Sequence, residues 1–238
     1  MYSRSRYSRR SVLAGLCALP VVMFGAAMGV PVISSARAAA SRDISAKGLQ
    51  EMLAELEASS GGRLGVAASV SNGDEILSYR GNERFPMCST FKVLAASAIL
   101  RDKPGILEQR IHFAKSDIQP WSPVTEKHLE DGMTVAELCA AMLQHSDNTA
   151  ANLVLAQLGG PEGLTSIARS FGDTTFRLDR WEVELNTAIP GDARDTTTPL
   201  AMTNAIKMSG TFVRKGTSSR LGEIILANEE LTRFSRAI

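Results

Sequence analysis

Apolar positions recur along most of the chain at one of two spacings, and the spacing predicts the elements. From Ser45 to Ser59, Leu49, Met52, Leu53 and Leu56 fall at i, i+3, i+4 and i+7, one stripe of an amphipathic helix that Gly61-Gly62 ends. Two short apolar runs follow, Leu64–Val70 and Ile76–Tyr79, on either side of Asn72-Gly73-Asp74, a strong turn signal; they predict an antiparallel hairpin. A lone hairpin is marginal in water, so it must join further strands or pack on the helix. Beyond Arg84 the pattern turns helical, with predicted helices at Thr90–Leu100, Thr134–Gln144, Asn148–Leu158, Pro161–Phe171 and Pro199–Met208. Thr134 with Glu137 forms a capping-box pair, Gly159-Gly160 and Gly172 are stops, and Pro161 and Pro199 suit first-turn positions. Residues 180–195 show no sustained period and hold Pro190 and Gly191, which predicts a compact surface loop.

Composition sets the first 40 residues apart. They carry five arginines (Arg4, Arg6, Arg9, Arg10, Arg37), no acidic residue and an apolar run from Val12 to Ile33. Arg9-Arg10 between Ser8 and Ser11-Val12-Leu13, with small residues at Ala36–Ala40, predicts a twin-arginine export signal cleaved after Ala38 or Ala40, and hence a periplasmic or secreted protein without a stable membrane anchor. The alternative is a retained anchor, since the run is long enough to span a bilayer. Without residues 1–40, 26 basic and 25 acidic residues become 21 against 25, a formal charge of −4, which gives no electrostatic case for nucleic acid. Cys17 lies in the signal, leaving Cys88 and Cys139 for at most one disulfide. There is no Cys-x-x-Cys, and His112, His128 and His145 lack ligand spacing, so neither a metal nor a cofactor is expected.

Three short segments carry candidate chemistry. Ser89-Thr90-Phe91-Lys92 places a hydroxyl and an amine one helical turn apart on the same face. A serine needs a neighbouring base, or a cation that stabilises its alkoxide, to act as a nucleophile. The pair alone is weak: 24 serines and seven lysines yield roughly 0.7 chance matches. Ser146-Asp147-Asn148 sits between two predicted helices, where each residue type also suits a plain helix cap. Arg180-Trp181-Glu182-Val183-Glu184-Leu185-Asn186 carries a carboxylate and an amide four residues apart, one able to deprotonate water and the other to orient it. In isolation it reads equally as a solvated loop.

Taken in this order, the three segments resemble the motif set of the class A β-lactamases, a family of serine enzymes that recognise penicillins. Segments 121–127, 131–135, 148–153 and 189–197 are similar to family sequence as well, so that the resemblance runs from about Ser45 to about Met202. It implies an α+β fold in which an all-helical domain (85–198) lies beside an antiparallel sheet flanked by helices (41–84 and 199–238). It also implies a monomer whose partner is a small β-lactam. In the roles implied, Ser89 attacks the lactam carbonyl, Lys92 helps remove its proton alone or with Glu182, and Ser146 relays a proton to the ring nitrogen. Asn148 binds the substrate amide and steadies Lys92, Glu182 with Asn186 activates the deacylating water, Arg180 and Asp195 close the loop as an ion pair, and Trp121 flanks the cleft mouth. Core packing is the plain alternative for Trp121.

The sequence also departs from the family. Its Lys-Thr/Ser-Gly element is not found; Lys215-Gly216-Thr217 has the letters in the wrong order. The family strand that carries it supplies a cation and one oxyanion donor, and loss of one such donor costs on the order of 10²–10³ in rate. From about Ile206 family likeness fades, so a truncated or frame-shifted product is expected, its open sheet edge covered in part by an amphipathic tail, Ser218–Ile238. Cys139 matches half of a disulfide found in some relatives, where the partner position is Ala96; Cys88 with Trp121 resembles the carbapenem-hydrolysing subgroup; Val183 replaces a common proline. The competing functions are a β-lactam-binding chain without turnover and a penicillin-binding peptidase.

Overall fold

The computed structural model describes residues 46–69 and 76–214, with side chains to residue 207. The predicted export signal, the predicted Asn72-Gly73-Asp74 turn and the tail from Ser218 lie outside these residues. Six α-helices and three short antiparallel strand pairs make up the described chain.

Helix α1 spans Ala46–Ser60, after which Gly61 takes a left-handed φ of 71°. Strands β1 (Val66–Ser69) and β2 (Ile76–Tyr79) pair antiparallel, Val66 opposite Tyr79 and Ser69 opposite Ile76. The α1 stripe is only half covered among the described residues: Leu49 and Leu53 are partly buried, whereas Met52 and Leu56 are exposed. Polar contacts tie α1 to the hairpin instead. The Gln50 amide donates to Ser78 O, and the Glu57 carboxylate accepts from Leu64 N, Tyr79 Oη and the Arg80 guanidinium.

Strand β3 (Phe85–Pro86) leads into a 3-10 turn at Cys88–Thr90 and then α2, Phe91–Asp102. Nine of the twelve α2 residues are buried, so the helix runs through the molecule rather than along its surface. Around it pack α3 (Val135–His145), α4 (Asn148–Gln157), α5 (Gly160–Ser170) and α6 (Pro199–Arg214). Phe91 and Ile99 from α2, Leu138 and Met142 from α3, Val154 and Leu155 from α4 and Leu164 from α5 form one core with Phe176, Leu178 and Leu185. Each contributes about 1.5–3 kcal/mol through burial of its side chain.

The ends of these helices follow the predicted chemistry. Thr134 Oγ1 accepts from Glu137 N at 3.2 Å while Glu137 Oε2 accepts from Thr134 N at 2.7 Å, the reciprocal box read from the sequence. Helix α5 begins at Gly160, one residue before its proline, and α6 runs six residues past the expected end. It lies on β1, where Thr203 Oγ1 donates to Ala67 O, and on α2. The remaining strands, β4 (Arg110–Ile111) with β5 (Met133–Thr134) and β3 with β6 (Thr196–Thr197), are two residues each, too short to leave a period-two signal. No described helix is long and apolar enough to cross a membrane.

Candidate active site

Ser89 stands in the middle of the 3-10 turn that opens α2, after Cys88 in a left-handed conformation (φ 43°). Backbone pairing fixes this turn to the end of the 180–195 loop: β3 pairs with β6, and Met87 N donates to Asp195 O at 3.0 Å. Lys92, one turn on, is 2% exposed.

Helices α3 and α4 meet over this lysine. Ser146 ends α3 in a left-handed conformation (φ 55°), which turns its hydroxyl toward Ser89; Ser146 Oγ donates to Ser89 Oγ at 2.9 Å. Asp147 is fully buried and performs the capping anticipated for this segment. Its carboxylate accepts from Ala150 N at the start of α4 and from Val124 N, Thr125 N and Thr125 Oγ1 across the cleft wall. Capping in this segment thus falls to Asp147, while Ser146 and Asn148 reach Ser89 and Lys92.

Lys92 Nζ donates to Ser146 O (2.9 Å), Ser146 Oγ (3.2 Å) and Asn148 Oδ1 (2.8 Å), and lies 3.1 Å from Glu182 Oε1. A buried ammonium is costly unless it is paired and hydrogen-bonded. Burial pushes the Lys92 pKa below the ordinary lysine value, and the Glu182 charge opposes part of that shift. Asn148 is held in turn, its Nδ2 donating to Pro120 O and its backbone N–H to Trp121 O.

The 180–195 loop brings Glu182 in from the other side. Its side chain is buried, Oε1 toward Lys92 and Oε2 accepting from Asn186 Nδ2 at 2.6 Å. The Glu182–Val183 peptide bond is cis. Four residues separate Glu182 from Asn186, and a 3-10 turn at Glu184–Thr187 makes that spacing a contact. Arg180 Nε donates to Asp195 Oδ2 at 2.5 Å, and Asp195 Oδ1 accepts from Asp179 N and Arg180 N, which ties the two ends of the loop together.

Trp121, with φ 60°, is 70% exposed and donates its indole N–H to His145 O, so the core-packing alternative does not apply. Sequence reading missed Asn152. Its side-chain amide makes a matched pair with the peptide groups of Glu182: Glu182 N donates to Oδ1 and Nδ2 donates to Glu182 O, both at 3.0 Å. The available signal was its spacing, four residues after Asn148 on the same face of a mostly apolar helix. Among the described residues no group of three or more His, Cys, Asp or Glu side chains gathers as a metal site, and Cys88 and Cys139 are free thiols.

The arrangement is that of a nucleophile with a proton-handling amine and hydroxyl on one side and a carboxylate-amide pair beside them. Comparison with known proteins points the same way. The model of the beta-lactamase enzyme family matches residues 47–238, through and beyond the segment at Ile206 where likeness was expected to fade. Beta-lactamase OXY-1 of Klebsiella oxytoca is 54% identical over 185 residues, 76% of this chain and 62% of the relative. The carbapenem-hydrolyzing beta-lactamase KPC, also from Klebsiella oxytoca, is 54% identical over 160 residues, 66% of this chain and 55% of its own length. Beta-lactamase Toho-1 of Escherichia coli is 48% identical over 202 residues, 84% of this chain and 65% of its own. Among solved structures, the class A beta-lactamase of the last common ancestor of Gram-negative bacteria superposes with a TM-score of 0.72 at 54% identity, covering 76% of this chain and 71% of that one. The chain thus spans between 55% and 65% of the length of these three relatives. With half its aligned residues shared and the family match running over most of its length, the chain belongs to the class A β-lactamase family.

Proposed function

We propose that this chain opens the β-lactam ring of penicillin-type antibiotics through a covalent adduct on Ser89, which water then hydrolyses, and so confers antibiotic resistance. The observation that carries this reading is the shared position of Lys92 Nζ, within 3.2 Å of Ser146 Oγ and of Glu182 Oε1 while Ser146 Oγ reaches Ser89 Oγ. In this reading Ser89 Oγ attacks the lactam carbonyl, and its proton passes to the Lys92 and Glu182 pair. As the C–N bond breaks, Ser146 delivers a proton to the ring nitrogen, drawing on Lys92. Glu182 then takes a proton from a water that the Asn186 amide orients, the hydroxide attacks the ester carbonyl, and as the C–O bond to Ser89 breaks that proton returns through Lys92 to Ser89 Oγ, releasing the opened product. Asn148 binds the substrate's amide, Trp121 flanks the cleft, and the Arg180–Asp195 pair keeps the loop closed. A periplasmic or secreted location reached by the twin-arginine route goes with this reading, and N-terminal sequencing of the exported protein tests it.

The carboxylate-amide pair is what favours hydrolysis over a penicillin-binding peptidase or a chain that only binds β-lactams. Glu182→Gln should still be acylated by a penicillin but lose turnover, leaving a stable adduct on Ser89 in the mass spectrum. Rapid turnover by that variant removes Glu182 from the role. Wild-type protein that labels once per chain and never turns over nitrocefin identifies a binder instead.

A further inference from the structure

Trp181, immediately before Glu182, is the large aromatic residue of the 180–195 loop, and the proposed chemistry leaves it unused. The residue is 41% exposed, so its large apolar surface is part covered and part open to water. The seat is Gly160. A Cβ placed there would lie 3.1 Å from Trp181 Cζ2, 3.4 Å from Cη2 and 4.0 Å from Cε2, so the indole rests on the bare backbone where α5 begins. Gly160 and Gly159 both take left-handed φ angles, 76° and 87°, so glycine is needed there for its conformation as well as for the close approach.

This contact completes the support of Glu182. Its two peptide groups are paired with the Asn152 amide from α4, its carboxylate with Lys92 and Asn186, and Trp181 O accepts from Leu185 N to close the following turn. The Asn152, Lys92 and Asn186 contacts act at Glu182 itself. Ahead of it Arg180 is tied to Asp195 at the far end of the loop, and Trp181, between Arg180 and Glu182, is seated on α5, a different support from α4.

We propose that Trp181 is a positioning residue: seated on Gly160, its indole fixes the direction in which Glu182 enters the site, and so governs the hydrolysis of the Ser89 adduct more than its formation. The proposal rests on the hydrolase reading above. The asymmetry follows from the site: Ser89 and Lys92 keep their places at the start of α2 and Ser146 its place at the end of α3 when the Glu182 segment alone shifts, so that Lys92 can still take the Ser89 proton, whereas the carboxylate that activates water is carried by that segment itself. A misplacement of about 1 Å costs up to 10²-fold in such a step.

The test uses the full chain with a penicillin, measuring acylation in a single turnover by rapid-quench mass spectrometry and deacylation by decay of the adduct. Trp181→Ala should slow deacylation about ten- to a hundredfold while acylation changes by less than about threefold, so that adduct accumulates at steady state. Trp181→Phe, which keeps a flat ring for Gly160, should return the partition to near wild type, and Ile189→Ala, an exposed change in the same loop, should leave it unmoved. Trp181→Leu serves alongside alanine, keeping apolar volume without a flat face, and thermal melts establish that each variant is folded during the assay. Equal slowing of both steps in the alanine and leucine variants, or a phenylalanine variant as impaired as they are, overturns the proposal. Wild-type chain that forms no Ser89 adduct overturns the hydrolase reading and this proposal with it; an adduct in wild type whose partition is unchanged in Trp181→Ala overturns this proposal alone.

Discussion

At the scale of single residues, the site turns on the charge of Lys92. Two opposed influences act on it: burial, which lowers its pKa, and the adjacent Glu182 carboxylate, which raises it. The net shift is downward, so at a given pH the neutral amine is more populated than on an exposed lysine. If the neutral amine accepts the Ser89 proton, acylation should rise with pH and level off below the ordinary lysine range. Glu182→Gln removes the upward influence, so Lys92 titrates lower still and the acid limb of acylation should move toward lower pH than in wild type. Single-turnover acylation rates across a pH series measure this, and a limb that stays in place or moves upward shows that Lys92 is not the titrating group. Stability is linked with the same sign. With a folded pKa below the unfolded one, the unfolded chain binds more protons between the two values, so the Lys92 contribution improves as pH rises through that window and is least favourable below the folded value.

At the scale of elements, the loop of residues 180–195 is held by its ends as well as by Leu185 in the core. Asp195 is 1% exposed and accepts three hydrogen bonds, two from backbone N–H groups and one from Arg180. Removing one partner of a buried pair costs up to about 3–5 kcal/mol when the other is left alone. In Arg180→Ala, Asp195 keeps both N–H donors, so the expected loss is about 1–3 kcal/mol. Asp195→Ala strands those two donors and the guanidinium together, and should cost more. Thermal unfolding of the two variants gives the order, and an Arg180→Ala variant that melts lower than Asp195→Ala contradicts it. The same loop shows what a linear sequence carries. Thr134 and Glu137, or Glu182 and Asn186, lie within one turn of each other, so their pairing is legible from spacing alone. The bond between Asn152 and Glu182 spans 30 residues and the seat of Trp181 on Gly160 spans 21, and no local period marks either. Trp121 and Ser146 depend on left-handed backbone conformations, which side-chain pattern does not reveal. The α1 stripe was legible as a helix, but its spacing left unsaid that Met52 and Leu56 are exposed among the described residues.

At the scale of the whole molecule, burial is unevenly distributed. Among the described residues the buried hydrophobic cluster runs from Met87 to Leu185, most of it on α2 to α5, whereas α1, β1 and β2 contribute none. The hairpin region is joined to the rest by α6, which lies on β1 and whose Leu200 N donates to Gly81 O, while polar contacts such as those of Glu57, whose carboxyl is held near a pKa of about 2 by the Tyr79 hydroxyl, the Leu64 N–H and Arg80, hold α1 to the hairpin. Ion pairs that keep access to water add little to stability, while each buried side chain of the helical cluster adds considerably more. Opening of α1 and the hairpin should therefore require less free energy than opening of α2, α3 and α4, and the two regions should separate in native-state hydrogen exchange. Amides of residues 50–60, 66–69 and 76–79 are expected to exchange through a partial opening at low denaturant, while those of 94–102 and 138–144 exchange only with global unfolding. Because Ser89 and Lys92 sit at the start of α2, such an opening leaves their helix intact, and labelling of Ser89 by a penicillin should persist at denaturant concentrations where the hairpin amides are already exposed. A single exchange isotherm shared by both regions makes the molecule one cooperative unit, with the packing of α6 sufficient to couple it.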